Sequence, residues 1–356
     1  MAYNYGTFVG KLKKPTSDKM SFVATAKSNE NVLLLNGSIE TETGSVFVKM
    51  MGFKQDPLSV SIGKGERIEV PWDKRFDETI MDKVPSFAKT SIKIGNETKE
   101  FLSDWDAIKY LDEHYDEYKD TQIALSIQWD KNVYNGEARD QFSIQGMYPS
   151  KEGVKSKLGI KTQFFWNKDS IDDTDWDTDK ILRVNGYIKS YDRDEKKDLF
   201  FPQTVVLNCS KIDFDNEHQK AIVDYRLKYL KTKSSTFQEC DLECAFVIGA
   251  EKKEDNDFDE SMLSDTQKEQ VALGLKTVDD FRTGGTVYGE FKTELRLTDF
   301  SFKKTSHGDY SDGPVDSGLT QEELEENLWS GAKFDEDDDF VDIDGAAEKK
   351  LEDLFM

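Results

Sequence analysis

Apolar and polar positions alternate along most of the chain. The alternation predicts strands over residues 20–26, 32–39, 45–53, 123–129, 141–147, 160–166, 181–189, 199–208, 242–248 and 287–302. Clusters of Gly, Asn and Asp separate these runs and supply the backbone freedom that turns need. A period near 3.6 stands out over 104–118 and 264–275. In the first, Ser103 is placed to cap, and Trp105, Ile108, Leu111 and Tyr115 fall near one face. The expected fold class is mainly β with few, short helices.

The order of the runs repeats. Leu34-Leu35-Asn36-Gly37-Ser38-Ile39 resembles Arg183-Val184-Asn185-Gly186-Tyr187-Ile188, and a polar turn and an apolar strand follow each copy. Lys-Tyr-Leu then occurs in both halves, at 109–111 and 228–230. This order predicts two β-barrels in tandem, over 1–150 and 151–306, divided near 149–157. Residues 251–264 read as an acidic insertion in the second barrel, expected to be a mobile loop.

Alternation also sorts the faces of each strand. In the strand from Arg183, Val184, Gly186 and Ile188 point one way. Arg183, Asn185, Tyr187, Lys189 and Tyr191 point the other, and the next strand adds Lys196, Lys197 and Phe200. In 45–53, Val46, Val48 and Met50 oppose Phe47, Lys49, Met51 and Phe53, with Lys54 following. Trp72, Lys74, Arg75 and Phe76 sit within six residues. Trp129 and Lys131 end another strand, near Tyr134 and Arg139, and Tyr3, Tyr5, Phe8, Lys11, Lys13 and Lys14 repeat the theme at the start. Rings for bases to stack on, beside cations to follow phosphates, suit single-stranded nucleic acid. The bland alternative for each cluster is a core aromatic or an ordinary solvated strand face.

Charge changes the picture at one end. The 356-residue chain carries a net charge of −23, and residues 309–356 hold 10 Asp and 7 Glu against 3 Lys, a net of −14. A block of this kind reads as a disordered tail that binds partners. The tail has two marks of structure. Leu319, Thr320, Glu323 and Leu324 form a capping box with a hydrophobic staple, and Leu328 shares a face with Leu324. At the terminus Leu351, Leu354 and Phe355 line one helical turn, which suits a basic-rimmed apolar pocket on a partner. The acidic total does not exclude a nucleic-acid ligand, because affinity follows the local potential of the groove. The tail is itself positioned to compete for that groove.

Other chemistry is missing. Gly63-Lys64-Gly65 lacks the frame of a phosphate loop. Cys209, His218, Cys240 and Cys244 make a poor zinc set, because Cys240 and Cys244 flank a strand, and core thiols are the better reading. Asp173, Asp175, Asp177 and Asp179 alternate like a calcium loop, but Thr178 stands where Gly is required and Val184 where Glu is required. No enzyme activity, metal or cofactor is expected. No apolar run is long enough for a membrane helix, the N-terminus lacks a signal-peptide core, and three cysteines fit a reducing, cytoplasmic setting.

Tandem small barrels, basic and aromatic strand faces, and an acidic tail with an apolar end together resemble single-stranded DNA-binding proteins of the phage type. The tail match is Asp337, Asp338, Asp339 and Phe340, then the closing Asp353-Leu354-Phe355-Met356. It departs from the bacterial ending, three Asp then apolar-Pro-Phe, in lacking Pro and in having Met after Phe. The resemblance implies OB-like barrels at 1–150 and 151–306 that coat single-stranded DNA in replication, recombination and repair. It implies a tail at 307–356 that recruits replication or recombination proteins. The expected nucleic-acid contacts are Phe47, Lys49, Phe53, Trp72, Lys74, Arg75 and Trp129 in the first barrel. In the second they are Arg183, Tyr187, Lys189, Tyr191 and Lys197. Two rivals remain at this point: a β-rich viral structural or adaptor protein that binds proteins, and an acidic mimic of nucleic acid.

Overall fold

A computed structural model describes residues 4–15, 20–42, 44–134, 137–192, 195–254, 286–302 and 313–329, with the single residues 268, 271 and 331. Mainly β architecture is what it shows, and the first half closes a ring of five strands. β1 (Asn4–Lys13) pairs antiparallel with β3 (Asn29–Thr41), whose other half is lined by the short β2 (Val23–Ala26). β3 turns antiparallel into β4 (Gly44–Phe53). An insertion follows: the hairpin β5 (Leu58–Gly63) and β6 (Glu66–Val70), the single turn α1 (Glu78–Met81), and the hairpin β7 (Thr90–Ile94) and β8 (Glu97–Phe101). Helix α2 (Asp104–Glu113) and the turn α3 (Tyr115–Tyr118) lead into β9 (Ile123–Tyr134) and β10 (Glu137–Pro149). β10 runs antiparallel to β9 and parallel to β4, and β9 returns to β1. The circuit is β1–β3–β4–β10–β9–β1.

The second half repeats it. Its elements are β11 (Lys157–Trp166), β12 (Ile171–Asp172), the turn α4 (Trp176–Asp179), β13 (Ile181–Asp192), β14 (Lys197–Asn208), helix α5 (Glu217–Leu230), β15 (Gln238–Glu254) and β16 (Thr286–Ser301). The circuit is β11–β13–β14–β16–β15–β11, again with one parallel contact, between its third and fifth strands. A helix again lies between the third and fourth strands, and each Lys-Tyr-Leu falls on it.

The two rings are fused by antiparallel pairing of β1 with β11, with Thr7 opposite Gly159. Leu12 meets Ile39 and Phe164 meets Ile188, each the same distance along its strand from that pair. The registers are therefore symmetric about the Thr7–Gly159 pair. The Asn-Gly repeat has a physical cause in this crossing. A Cβ on Gly186 would lie 2.4 Å from both Phe164 Cζ and the Phe165 carbonyl oxygen, and one on Gly37 would lie 3.0 Å from Leu12 Cδ1 and 3.1 Å from the Lys13 carbonyl oxygen. Both positions sit where the first strand of a ring crosses the second, and backbone cannot step aside as a side-chain tip can.

Ring interiors are apolar, with Phe8, Leu35, Val48 and Leu125 in the first and Phe164, Val184, Ile188 and Leu242 in the second. Between the rings, Phe142 and Trp129 set their edges against Phe246 of β15, with centroids 5.2 and 5.1 Å away. Asn4 is buried there with both ends of its amide bonded: its Nδ2 donates to the Lys189 carbonyl at 2.8 Å, and the Thr162 hydroxyl donates to its Oδ1 at 2.6 Å. The insertion has its own small core of Leu58, Val60, Val70 and Val84.

Four expectations change. The helix over 104–118 breaks at His114, whose φ of −103° and ψ of 14° separate α2 from α3. Helix α5 is present although only Val223 and Leu230 are buried; Asn216 caps it by accepting from the His218 and Gln219 amides. β1 is a strand whose alternation is blurred, because Phe8, Val9 and Gly10 are all buried at the seam between rings. Residues 251–254 of the expected mobile loop are instead the end of β15, paired with β16, and the rest of that loop and the helix over 264–275 lie outside the described residues apart from 268 and 271. After β16, β17 (Val315–Asp316) pairs with β15 and α6 (Gln321–Glu326) follows.

Candidate nucleic-acid interface

The first ring carries an open aromatic face. Val46, Val48 and Met50 of β4 are buried, so Phe47, Lys49, Met51 and Phe53 point outward, as the alternation predicts. Phe47 is 42% and Phe53 46% exposed, with half-buried Lys49 between them. Across the ladder Phe47 faces Ser38, Lys49 faces Asn36 and Met51 faces Leu34. Lys54 follows, exposed. Two half-exposed Phe on one strand face, with Met51 between them, make a partly open apolar strip. Two more exposed rings, Phe76 and Phe87, stand on the insertion.

Trp72, Lys74 and Arg75 divide. Lys74 is exposed. Trp72 packs on the insertion's core and lies under the Arg75 guanidinium, 4.1 Å from its ring centroid. Arg75 also covers Phe76 at 4.4 Å and binds Asp106 of α2 through two nitrogens, Nε–Oδ2 being 2.7 Å. Arg75 therefore pins the insertion to the helix, and its charge is largely spent inside the protein.

Trp129 is a correction. It is 0% exposed, its indole N–H donates to Asp140 at 2.6 Å, and it belongs to the seam between rings. No base reaches it. The polar–aromatic pattern at the end of β9 arises because Lys131 turns inward too, pairing with Asp140 at 2.8 Å and donating to Gln203 of β14 at 3.0 Å.

The second ring places Arg183, Asn185, Tyr187, Lys189 and Tyr191 on one outer face, as expected, with Leu182, Val184, Ile188 and Ser190 buried. Their partners were not legible. Arg183 is held by Asp175, and the Thr204 hydroxyl donates to Asn185 at 2.8 Å. Lys189 lies over the rings of Phe165 and Phe200, 5.5 and 5.1 Å from their centroids. Tyr191 is 52% exposed and Lys197 is exposed.

The middle of this face is occupied by the chain's own C-terminal segment. Leu324 of α6, 1% exposed, sits among Phe165, Phe200 and Phe237, with Tyr187, Leu319 and Leu328 around it. Burial of one leucine side chain contributes ~1.5–3 kcal/mol. The predicted capping box is formed: Thr320 Oγ1 accepts from the Glu323 amide at 3.1 Å, and Glu323 accepts from the Thr320 amide at 3.0 Å. Beyond the helix, the Phe200 amide donates to the Asn327 carbonyl at 2.9 Å and the Trp329 amide to the Phe200 carbonyl at 3.0 Å. Trp329 stacks on Phe201. Burial, with the Glu325 carboxylate next, pushes the Tyr187 phenol up.

No family model matches the chain, and no curated protein does either. Among solved structures it is similar to a deletion mutant of the single-stranded DNA-binding protein from Thermus aquaticus, at 7% identity and a TM-score of 0.31, over 68% of this chain and 86% of that one. At that depth the likeness carries no weight for what this chain is.

Among the described residues no group of three or more His, Cys, Asp or Glu is gathered for a metal ion, and no helix is long and apolar enough to cross a membrane. Cys209, Cys240 and Cys244 are buried and form no disulfide, and burial raises the thiols of Cys209 and Cys244. They are held protonated, the opposite of what a nucleophile needs. The tail residues Asp337, Asp338, Asp339, Phe340, Leu351, Leu354 and Phe355 lie outside the described residues.

Proposed function

We propose that this chain is a non-catalytic single-stranded DNA-binding protein of OB-like design, using the first ring as its open platform. The observation that carries this is Phe47 and Phe53 exposed on either side of Lys49 on the outer face of β4. That arrangement offers two stacking surfaces and a cation along the outward positions of one strand, Met51 lying between Lys49 and Phe53, which suits a sequence-tolerant single strand. The strand circuits support the OB-like part: five strands, one parallel contact between the third and fifth, and a helix after the third, twice over. On this reading the domains are 1–150, 151–306 and a tail from 307. The acidic end recruits replication or recombination proteins, and the protein works in the cytoplasm, of a host cell if it is viral. With ~4–16 nucleotides per ring, one chain covers up to ~30.

The test is fluorescence anisotropy of a labelled oligothymidine of about 30 nucleotides, at low and high salt. Tight binding that weakens steeply with salt is expected. No binding at low salt sinks the reading and returns the β-rich adaptor.

A further inference from the structure

The second ring's outer face is built like a base-stacking surface and is closed by the protein itself. We infer that the Val315–Trp329 segment is a displaceable plug, and that single-stranded DNA opens a second binding face by competing with Leu324 for the aromatic seat of Phe165, Phe200 and Phe237. This rests on the single-stranded DNA reading above and adds its regulation.

Four observations place the plug. The seat is specific to this ring. By the shared register, Lys13, Ser38, Glu40 and Ser45 of the first ring hold the positions of Phe165, Tyr187, Lys189 and Phe200. The first ring therefore has nothing to receive an apolar helix, and its face stays open. Second, the attachment is local: a two-residue strand against β15, one six-residue helix seated by Leu324, and a few hydrogen bonds at Ser317, Asn327 and Trp329. Small docked elements of this kind belong to the low-stability end of a fold. Third, the plug carries charge of the ligand's sign. Glu322, Glu323, Glu325 and Glu326 are exposed on α6, on a face that carries the cations Arg183 and Lys189. Fourth, the face is closed only in part. Tyr191 and Lys197 remain exposed beside the plug and give an arriving strand a first contact.

The plug is held mainly by apolar burial, which salt does not weaken, whereas phosphate contacts weaken with salt. Rising salt therefore favours the closed face. At high salt the chain holds DNA through the first ring alone, over a short footprint. At low salt both faces engage and the footprint lengthens.

The test is amide hydrogen exchange on the full, unaltered chain, with and without saturating oligothymidine of about 30 nucleotides, binding being followed by anisotropy in the same samples. Loss of protection at Phe200, Asn327 and Trp329 on binding is expected. Binding with protection unchanged or raised at these amides overturns the plug and leaves the function standing. No binding removes the function and the plug with it. The second arm is Leu324→Ala with Leu328→Ala. Affinity for the oligothymidine at high salt should rise at least fivefold, and the footprint should lengthen. Unchanged affinity and footprint in a folded double variant overturn the inference.

Discussion

Replacing Phe47 and Phe53 together by alanine tests the platform directly. Each ring stands to lose ~1–3 kcal/mol of stacking on a base, so the pair loses ~2–6 kcal/mol. At 1.4 kcal/mol per decade the smaller value is already about 30-fold in Kd. The fold should feel it little, because both rings are nearly half exposed. Losing the covered part costs about 1 kcal/mol each, a shift of a few degrees in Tm. No charge is removed, so the slope of log K against log salt should not change. Anisotropy at several salt concentrations gives both numbers, and thermal melting gives the third. A Kd within threefold of the parent, in a variant that melts within a few degrees of it, refutes the platform on β4.

Other substitutions separate the remaining roles. Arg75→Ala should lower Tm markedly and leave the salt slope unchanged, since its guanidinium is bound to Asp106; Lys49→Ala should flatten the slope by about 0.7. Gly186→Ala should destabilise by ~1–3 kcal/mol or more in denaturant melts and exceed Gly37→Ala, because its Cβ would approach a backbone oxygen at 2.4 Å rather than 3.1 Å; the reverse order would disprove the crossing argument. Asp104 accepts a hydrogen bond from Thr90, yet burial is the larger effect and raises its carboxyl above the ordinary 3.8. A raised acid favours the folded state most when protonated, and that contribution is lost as pH rises through the folded value. Asp104→Asn should therefore raise Tm at pH 7 and have almost no effect at pH 3; a loss of Tm at pH 7 would contradict it.

Much of this was legible because a strand's period is two. The alternation in 45–53 and from Arg183 named the outward side chains of both rings correctly, and the Asn-Gly repeat marked the two crossings. Trp129 was misplaced although its own strand alternates: Ile123, Leu125, Ile127 and Trp129 share one buried face. On that face its ring meets Phe246, and the cation beside it is paired inward. Arg75 was misjudged likewise, because its partner lies on a helix 31 positions on. Helix α6 was legible from Thr320, Glu323 and Leu324, but its seat was not: Phe165, Phe200 and Phe237 come from three separate strands and loops. The signal available for that seat was a doubled Phe in each of two strands, Phe164–Phe165 and Phe200–Phe201, since alternation leaves one of each pair facing out.

The asymmetry of the two rings also bears on how so acidic a chain would hold a polyanion. Of the net −23, −14 belongs to residues 309–356. The remainder is spread over two rings whose outward strands carry Lys49, Lys54, Lys189 and Lys197. The part of the acidic segment that is described lies on the second ring, with α6 above Tyr187 and Phe200. The carboxylates described in that segment, Asp316 with Glu322, Glu323, Glu325 and Glu326, add to the potential of the second ring's face. A protein with two equally open faces would need its tail elsewhere. Here the ring that seats Leu324 is the ring whose face is shielded, and the ring with Ser38 and Ser45 at the matching positions is the ring that shows Phe47 and Phe53 to solvent. The two faces differ at four paired positions, and Phe237, just before β15, completes the seat in the second ring alone.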